Sequence, residues 1–438
     1  MSEIRVRFAP SPTGKVHIGN IRAAIYNWLF ARHTGGKFLL RVEDTDLERS
    51  TPEAIEALLE CMKWLGLSYD EEAFCQTKNK PRHMEAVEKL LASGHAYKCE
   101  RTSRDGKTGE VVMFKMPKEG VIEFDDIVKG RMAKKAEDIL DFAIVRSDVS
   151  PIFHIANVVD DIDQRVTHII RGDDHVENTF KHICIFKALG AEVPKYGHLS
   201  MIVNQQGKPY SKRDGAAFVG EFREAGYLPE ALFNYLLLLG WNPGDDREVL
   251  TKEEMISLFD LEKVHVTAAK FDLKKLQWMN GEYIKRLPEE VFSSELVNRA
   301  KLSGMVVPDG FDLKFLVSQL QVRTKFLNDI PSQVRCFFSD DYPFDEKAVE
   351  KRLKKDGVKA LLLDLVERFS KVQEWKAPQL EEVVKALSCG NGMGPWVHPI
   401  RVAVSGRGEG IGLFEMLELL GREKTLARLE KAAETMAL

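Results

Sequence analysis

The chain has 438 residues, of which 44% are apolar and 30% are charged, and its formal net charge is −4. This length predicts roughly two to four folded domains, and the composition is that of a globular protein. No run of about 18 apolar residues is present, so we expect no membrane span. The first residues lack the charged-then-apolar pattern of a secretory leader, and we expect none.

The cysteines argue against a disulfide framework. They are scattered along the chain without CxxC or CxC spacing, at Cys61, Cys75, Cys99, Cys184, Cys336 and Cys389. This spacing predicts reduced thiols in a reducing compartment, so we expect a cytoplasmic protein. It also predicts that no zinc site is built from these residues.

The start of the chain has the pattern strand, helix, strand. Residues 4–8 alternate between apolar and charged side chains, which predicts a short strand. Apolar residues then recur at helical spacing over residues 18–29, and Gly35-Gly36 is a helix-ending signal. Residues 38–42 predict a second, buried strand. This order is typical of a parallel α/β sheet.

The pattern changes twice further along the chain. Residues 97–145 combine a turn-rich segment with short strand-like pieces, which indicates an insertion, and strand-like runs return at 142–145, 166–170 and 199–203. After about residue 216 helical periodicity dominates. We therefore predict an α/β protein: a Rossmann-type, doubly wound parallel sheet with a short insertion, followed by an all-helical C-terminal half.

Polar segments follow several of the predicted strands, at residues 17–20, 43–46, 171–175 and 207–215. Ligands of an open α/β sheet bind where the carboxyl ends of the strands meet, so these segments predict one charged cleft. Each segment alone also has a simpler interpretation, as a helix cap, a surface turn or a solvated loop. Their shared position is the stronger indication.

The residue types in this predicted cleft suit phosphate and carboxylate ligands. His17 begins a helix, where N–H groups and the helix dipole favour phosphate, and Gly19 lets a flat base approach the backbone. Lys208 and Lys212 lie beside Arg213 on a Gly-flanked loop, where their charge suits a transition state at phosphorus. Arg7 is either an exposed strand residue or a guanidinium that receives a carboxylate.

At these residues the sequence resembles the bacterial glutamyl-tRNA synthetases, a family of class I aminoacyl-tRNA synthetases. The segments that carry the resemblance are residues 8–14 with 17–19 (the HIGH signature), 41–46, 157–161, 166–174, 208–213 (the KMSKS-type loop), 222–231, 239–241 and 410–414. They extend over most of the chain, and together they are highly specific.

The resemblance implies an ATP-dependent reaction. Glutamate becomes glutamyl-adenylate and then passes to the 3′ adenosine of tRNA-Glu, and the first step usually needs bound tRNA. The implied catalytic residues are His17, Lys208 and Lys212: the histidine contacts the phosphates, and the lysines hold the leaving pyrophosphate with Mg²⁺. The implied ATP-binding residues are His17, Gly19, Asp174, Lys208, Ser211 and Lys212. The expected partners are L-glutamate and tRNA, and we expect a monomer without membrane association.

The resemblance also implies a glutamate site. Its members would be Arg7, Ser11, Glu43, Phe153, Asn157 and Arg171. Arg7 and Asn157 would read the γ-carboxylate, Ser11 and Glu43 the α-amino group, and Arg171 the α-carboxylate. Phe153 stands where the family has a tyrosine, which removes a hydroxyl donor from the site.

Other departures concern the loops and the insertion. Asn20 replaces the last residue of the HIGH signature, and Pro209-Tyr210 replaces the usual leucine of the KMSKS-type loop. Family members often carry zinc-binding cysteines in a longer insertion, whereas Cys99 has no partner cysteine before Cys184. We therefore expect a trimmed insertion and no zinc.

The predicted domain boundaries follow from these segments. They are a first catalytic half (1–96), a short acceptor-stem-binding insertion (97–145), a second catalytic half with the KMSKS-like loop (146–215), a stem-contact helical domain (216–285) and a helical anticodon-binding region (286–438). Basic segments at 270–275 and 351–355 offer local cations to tRNA phosphates, although such runs are often solvated helix faces. Trp278 and Tyr283 either stack on bases or pack in the core.

Other functions are consistent with parts of this sequence. A glutamyl-queuosine-type enzyme lacks the anticodon-binding half, so the long segment beyond Arg286 argues against it. A catalytically inactive tRNA-binding protein would not need intact His17, Gly19, Lys208 and Lys212. A generic nucleotidyltransferase with the same sheet would not explain the helical tail. A non-discriminating enzyme, which charges both tRNA-Glu and tRNA-Gln, stays open.

Overall fold

The computed structural model describes residues 3–12, 14–45, 50–102, 108–388 and 392–436. Thr13, Asp46 and Cys389, which belong to segments discussed above, lie outside the described residues. The chain divides into two compact units: an N-terminal unit of residues 1–224 and 228–276, and a C-terminal unit of residues 225–227 and 277–438.

Strands and helices alternate in the N-terminal unit. Its strands are β1 (Arg5–Phe8), β2 (Lys37–Val42), β3 (Phe74–Cys75), β4 (Ala96–Thr102), β5 (Thr108–Phe114), β6 (Val121–Asp126), β7 (Gly130–Lys135), β8 (Phe142–Val145), β9 (His168–Gly172), β10 (Lys195–Leu199), β11 (Ile202–Val203) and β12 (Ala269–Lys270). Its helices are α1 (Ile18–Thr34), α2 (Pro52–Trp64), α3 (Lys80–Ala92), α4 (Phe153–Asp163), α5 (Val176–Ala188), α6 (Val219–Glu224), α7 (Pro229–Leu238) and α8 (Lys252–Leu258), and α9 (Leu273–Arg286) begins in it.

A parallel sheet forms the centre of this unit. The strand β1 pairs in parallel with β2, β2 with β3, and β9 with β10. The two pieces meet where the Thr167 N–H donates to the Arg5 carbonyl oxygen at 2.9 Å. The predicted parallel α/β sheet is therefore confirmed, and the carboxyl ends of β1, β2, β9 and β10 lie along one edge.

The helix α1 forms as its sequence pattern predicts. Ile18, Ile21, Ile25 and Leu29 are fully buried at helical spacing. The His17 side chain accepts a hydrogen bond from the Gly19 N–H and caps the first turn. The last turn ends at Gly35, whose φ of 67° is the left-handed conformation that glycine adopts at least cost.

The insertion contributes two separate pieces of sheet. The strands β4, β5 and β8 form an antiparallel sheet, and β6 and β7 form a hairpin. The end of β6 pairs in parallel with β10 at Asp126 and Tyr196, and the Ile127 N–H donates to the Tyr196 carbonyl oxygen at 2.8 Å. The hairpin β6–β7 therefore extends the parallel sheet beside β10.

Some details of the sequence-based prediction are wrong. The strand predicted at 199–203 is two strands, since β10 ends at Leu199 and β11 starts at Ile202 and pairs with β12. The strand β12 itself lies in a region predicted to be helical. Arg171 does not follow its strand but belongs to β9. Two-residue strands are difficult to predict because they depend on a distant partner for their hydrogen bonds.

The described residues of the C-terminal unit are helical, as predicted for this half. Its helices after α9 are α10 (Glu289–Leu302), α11 (Leu313–Gln321), α12 (Ile330–Phe338), α13 (Glu346–Arg352), α14 (Val358–Ser370), α15 (Ala377–Ser388), α16 (Gly394–Ser405), α17 (Leu413–Leu420) and α18 (Arg422–Thr435). Buried Arg428 on α18 donates to the carbonyl oxygens of Cys336 and Val404, at 2.8 and 2.9 Å, and so satisfies the last turns of α12 and α16. In the described part of the chain, no helix has both the length and the apolar composition that crossing a bilayer requires.

Gly406, at the end of α16, should be the most sensitive glycine of this unit. Its φ is 72°, and an added Cβ would lie 2.2 Å from the Pro343 carbonyl oxygen, so Gly406→Ala adds a backbone clash to left-handed strain. We expect a loss of roughly 3 kcal/mol or more in the free energy of unfolding, measured by urea denaturation. Gly357→Ala is the control, since its φ is 81° but its Cβ would meet nothing within 4 Å. We expect that control to lose about 1 kcal/mol; equal losses would contradict the steric argument.

Candidate functional site

A cleft of about 630 Å³ opens at the carboxyl edge of the parallel sheet. Most of the predicted site residues line it: Arg7, Ser11, His17, Gly19, Glu43, Phe153, Asn157, Arg171 and Asp174. Lys208, Ser211 and Lys212 are not part of the lining, although Pro209 and Tyr210 from the same loop are. The structure therefore brings most of the predicted residues together around the cleft. Lys208, Ser211 and Lys212 lie outside its lining.

A buried group of charges forms one wall of the cleft. The Arg7 Nε donates to Asp161 Oδ1 at 3.0 Å, and Arg41 Nη1 donates to the same oxygen at 2.6 Å. Arg41 also lies 3.5 Å from Glu43 Oε1, which accepts a hydrogen bond from Asn157 Nδ2 at 2.7 Å. Arg7 is 3% exposed, so its interpretation as an exposed strand residue is wrong. Its guanidinium already receives one carboxylate, that of Asp161.

The pKa values of the two carboxyl groups in this wall differ in direction. Burial alone would raise the pKa of Asp161, but the charges of Arg41 and Arg7 outweigh burial and hold that pKa below its ordinary value. Burial raises the pKa of Glu43, and the charges of Arg41 and Arg7 offset this only in part. Asp161 is therefore the ionised counter-ion of the two arginines. A second cation beside Glu43 would stabilise the charged form of its carboxyl group.

Arg171 stands in a different environment, among neutral partners. Its Nη2 donates to Thr179 Oγ1 at 2.7 Å and lies 3.3 Å from the His175 carbonyl oxygen, and its Nε lies 3.4 Å from His198 Nε2. Burial lowers the pKa of Arg171 to about 10, so the guanidinium stays positive at neutral pH. No described carboxylate lies within salt-bridge distance of it, and an anion in the cleft would supply the missing partner.

His17 and Gly19 form the entrance at the start of α1. The His17 Nδ1 accepts the Gly19 N–H at 3.1 Å, so a neutral ring carries its proton on Nε2. Burial lowers the pKa of His17, while a hydrogen bond to the Tyr210 backbone opposes this. A Cβ on Gly19 would lie 3.2 Å from His17 Nδ1 and would press against the ring. The glycine thus keeps this end of the helix open and the histidine in place.

The lysine-bearing loop is tied to this entrance at its far end. The Ile18 N–H donates to the Ala217 carbonyl oxygen at 3.0 Å, and the Val219 N–H donates to the Val16 carbonyl oxygen at the same distance. Within the loop, Ser211 Oγ donates to Asp214 Oδ2 at 3.0 Å. The Lys208 and Lys212 side chains are exposed. Among the described residues, neither ammonium lies within salt-bridge distance of a carboxylate.

Phe153 lies in a cluster of neutral histidines. Its ring centroid is 5.5 Å from those of His154 and His182 and 5.9 Å from that of His175. His154 Nδ1 lies 3.1 Å from His182 Nε2. Burial lowers the pKa of all three histidines, that of His154 to about 4, so they add no charge to the cleft at neutral pH. The tyrosine-to-phenylalanine departure therefore leaves an apolar patch in this part of the wall.

The remaining predicted residues lie towards the mouth of the cleft. Ser11 and Asp174 are exposed, and Asp174 Oδ2 lies 3.6 Å from His175 Nε2. The sequence did not single out Arg22, which lines the cleft from α1 and donates to the Leu239 carbonyl oxygen at 2.7 Å. A charged residue beside the apolar face of a predicted helix is the signal that could have found it. Asp161 belongs to segment 157–161, which carries part of the family resemblance, but the position of Asp161 in that segment did not predict a role for it.

No metal centre is evident within the described residues, where no group of three or more His, Cys, Asp or Glu side chains is placed to hold an ion. The cleft offers buried guanidinium groups, an orphan acceptor in Asn157 Oδ1, and a helix N-terminus. Such a set can bind a ligand that carries carboxylate, ammonium and phosphate groups. The expectation of no zinc stays a prediction.

Comparison with known proteins agrees with this set of groups. The family described as class I tRNA synthetases (E and Q), catalytic domain, matches residues 3–108 and 103–278. The family described as anticodon binding domain matches residues 271–433. Glutamate–tRNA ligases of Francisella philomiragia subsp. philomiragia and Francisella tularensis subsp. novicida are 41% and 42% identical to this chain over 467 aligned positions, with 99% of each chain covered.

Solved structures give the same result. A glutamate–tRNA ligase of Elizabethkingia meningosepticum, crystallised with its amino acid, superposes with a TM-score of 0.86 at 30% identity and covers 99% of this chain and 100% of its own. A glutamate–tRNA synthetase of Elizabethkingia anophelis superposes with a TM-score of 0.85, also at 30% identity, and covers the same shares of the two chains.

Asp161 should be the residue on which the buried wall depends. Asp161→Ala would remove the carboxylate that two buried guanidinium groups both contact, and we expect it to lower the free energy of unfolding by about 3–5 kcal/mol. The control is Glu123→Gln, which breaks the ion pair of Glu123 with Arg131 (2.7 Å), in which the two side chains are 50% and 72% exposed. We expect that change to cost less than about 1 kcal/mol. Similar losses in the two variants, measured by chemical denaturation, would contradict this account.

Proposed function

Since this chain belongs to the class I glutamate–tRNA ligases, we propose that its cleft binds glutamate and ATP through the residues assigned above and charges tRNA-Glu. The observation that carries this proposal is the guanidinium of Arg171, which is buried in the wall without a carboxylate partner among the described residues. The α-carboxylate of an amino acid supplies that partner, and Arg7 with Asn157 in the same cleft would select an acidic side chain. The family match extends over both units, so catalytic and tRNA-binding parts are present together.

The glutamate site would use the two sides of the cleft differently. Arg171 would hold the α-carboxylate, and Arg7 with Asn157 would read the γ-carboxylate. Arg7 keeps Asp161 as a partner on its Nε side, so the carboxylate would approach its remaining N–H groups. Asn157 uses one N–H on Glu43 and retains the other.

The α-ammonium of glutamate would lie against Glu43 and Ser11. Burial raises the pKa of Glu43, and a second cation beside it would favour the charged carboxylate. Phe153 would pack against the aliphatic part of the substrate without donating a hydrogen bond. These residue roles rest on the family resemblance together with the positions of the side chains in the cleft.

The ATP site would occupy the entrance formed by α1. Gly19 places no side chain at the start of α1, which suits a flat base against the backbone, and the N-terminus of α1 suits phosphate. The His17 Nε2–H would exchange the Tyr210 backbone for a phosphate oxygen. Asp174 would lie near the ribose, and Ser211 would stabilise the loop that carries Lys208 and Lys212. Mg²⁺ bound with ATP would neutralise charge on the phosphates.

The reaction then follows from position and charge. An oxygen of the glutamate α-carboxylate attacks the α-phosphorus of ATP, and the bond to pyrophosphate breaks. His17 would donate to the α-phosphate oxygens as negative charge builds up there, and Lys208 and Lys212 would move over the departing pyrophosphate. In the second step a hydroxyl of the terminal adenosine of tRNA attacks the activated carbonyl, and AMP leaves.

The C-terminal unit offers a cationic surface for tRNA. Burial lowers the pKa of His398, and the nearby charges of Arg352, Arg401 and Lys351 lower it further; Arg323 acts in the same way on Arg401. Arg323 and Lys351 of this cluster are exposed, exposed cations attract a polyanion, and we propose that this cluster contacts the anticodon arm. Trp278, which is 45% exposed, would be available for base stacking.

The other expectations follow the same family assignment. We propose that the enzyme acts in the cytoplasm as a monomer, with the trimmed insertion contacting the acceptor stem without zinc. The predicted boundary at residue 286 lies within the region that the anticodon-binding family matches, 271–433. That match disfavours a glutamyl-queuosine-type enzyme, whose relatives lack this half.

Lys212 should act in adenylate formation and not in tRNA binding. Lys212→Ala removes a cation that would stabilise the departing pyrophosphate, and we expect ATP–pyrophosphate exchange with bound tRNA to fall roughly 100- to 1,000-fold. The affinity for tRNA, measured by filter binding, should stay within about twofold. The control is Lys187→Ala, an exposed lysine at the end of α5. A Lys212 variant that exchanges at the rate of this control would disprove the assigned role.

Side-by-side charging of purified tRNA-Glu and tRNA-Gln tests the proposed function as a whole. A discriminating ligase should form glutamyl-tRNA-Glu at least roughly 100-fold more efficiently than glutamyl-tRNA-Gln, as judged by kcat/KM. Comparable efficiencies would establish the non-discriminating alternative. Failure to charge either tRNA, with glutamate and ATP present, would contradict the proposal.

A further inference from the structure

A row of buried polar side chains connects Arg171 to the insertion. Arg171 Nη2 lies 2.7 Å from Thr179 Oγ1, Thr179 Oγ1 lies 3.0 Å from His198 Nε2, and His198 Nδ1 lies 2.6 Å from Asp126 Oδ2. All four side chains are buried, between 0% and 8% exposed. They come from β9, α5, β10 and β6, so no local segment of the chain contains the row.

The hydrogen bonds of this row are consistent with a single direction. A guanidinium can only donate, so the Thr179 oxygen accepts from Arg171. An ionised Asp126 can only accept, so His198 donates from Nδ1, and its Nε2 accepts the Thr179 hydroxyl proton and, at 3.4 Å, the Arg171 Nε–H. Among the described residues, the other acceptor within hydrogen-bond distance of that hydroxyl is the His175 carbonyl oxygen, at 3.3 Å.

The charge states required by this direction agree with the surroundings. Burial lowers the pKa of His198, so the ring is neutral, although the hydrogen bond to Asp126 acts in the opposite sense. Burial would raise the pKa of Asp126, but hydrogen bonds from His198 and the Lys129 backbone hold it below its ordinary value. The carboxylate fixes the orientation of the neutral histidine ring, and the ring fixes the orientation of the hydroxyl. The histidine adds no charge to the row.

We propose that Thr179, His198 and Asp126 are positioning residues that hold the Arg171 guanidinium in the orientation that receives a carboxylate of glutamate. This inference rests on the proposed function, in which Arg171 binds that carboxylate. Neutral partners fix the direction of the guanidinium plane without cancelling its charge, whereas a carboxylate partner would compete with the substrate. Arg171 lines the cleft, and the row leaves its Nη1 N–H groups for the ligand.

The far end of the row belongs to the hairpin β6–β7. The Asp126 Oδ1 accepts the backbone N–H groups of Val128 and Lys129, at 3.0 and 2.8 Å, which fixes the turn of the hairpin around the carboxylate. Lys129 Nζ in the same turn lies 3.0 Å from Asp173 Oδ2, and Asp173 lines the cleft. The insertion therefore supplies a part of the support on which the amino-acid site depends.

Substitution of Thr179 is the sharpest test. Thr179→Val keeps the shape and removes the hydroxyl, whereas Thr179→Ser keeps the hydroxyl. In ATP–pyrophosphate exchange at saturating tRNA, we expect the valine variant to raise the KM for glutamate roughly ten- to a hundredfold, with the KM for ATP within about twofold of the unsubstituted enzyme. The serine variant should restore the KM for glutamate. An unchanged KM for glutamate, or equal rises in both KM values, would overturn the proposal.

A second variant keeps the proposal testable if Thr179→Val does not fold. Asp126→Asn retains the oxygen that accepts the backbone N–H groups but places an N–H against His198 Nδ1. We expect the His198 proton to move to Nε2, visible in ¹⁵N spectra of the histidine rings, together with a rise in the KM for glutamate. A moved proton with an unchanged KM would overturn the proposal, as would an unmoved proton.

Two further variants separate this proposal from the proposed function. Thr324→Val is the matched control in the C-terminal unit: Thr324 is 1% exposed, and its hydroxyl donates to the Leu320 carbonyl oxygen at 3.0 Å. It should leave the KM for glutamate unchanged, and a rise equal to that of Thr179→Val would overturn the proposal. Arg171→Lys tests the proposed function itself. If Arg171→Lys raises the KM for glutamate and Thr179→Val does not, only the proposal that the row positions Arg171 is contradicted. If neither variant raises this KM, the proposed role of Arg171 in glutamate binding is contradicted.

Discussion

Burial of arginine at the edge of a parallel sheet is the constraint on which this cleft depends. Arg7, Arg41 and Arg171 come from three strands and are all buried at the carboxyl ends. A guanidinium keeps its proton at any ordinary pH, so each one needs oxygen or nitrogen acceptors inside the protein. Asp161 and Glu43 neutralise Arg7 and Arg41, whereas the described partners of Arg171 are neutral. Buried carboxylates, including Asp160 beside Arg41, therefore balance Arg7 and Arg41, whereas Arg171 has no carboxylate within salt-bridge distance among the described residues and favours an anionic ligand.

The same constraint explains why the insertion is tied to the active site. Arg171 is too far from the Asp161 group to share its carboxylate within salt-bridge distance, and it takes support from Thr179 and His198 instead. His198 needs an acceptor for its own proton, and Asp126 at the tip of the hairpin provides one at 2.6 Å. The hairpin also pairs with β10 through its backbone. A piece of chain inserted between two halves of the sheet thereby supports the guanidinium that we propose receives the substrate.

Local patterns were enough to predict much of the fold and part of the cleft. The buried face of α1, its cap at His17 and its end at Gly35 follow from helical spacing and glycine chemistry within one segment. Arg7 and Glu43 could be placed because they adjoin predicted strands. Thr179, His198 and Asp126 could not, because their roles arise only when four distant elements meet. The exposure of Lys208 and Lys212 likewise depends on how the loop folds on itself, which spacing does not encode.

A crystal structure with bound glutamate would test the central claim most directly. The account predicts one substrate carboxylate within about 3.2 Å of the Arg171 guanidinium, with Thr179 still in contact behind it and the Arg7–Asp161 pair intact. In that structure the ligand would supply the anionic partner that Arg171 lacks, without rearrangement of the wall. A glutamate bound with Arg171 turned away, or with Asp161 displaced from Arg7, would contradict the account.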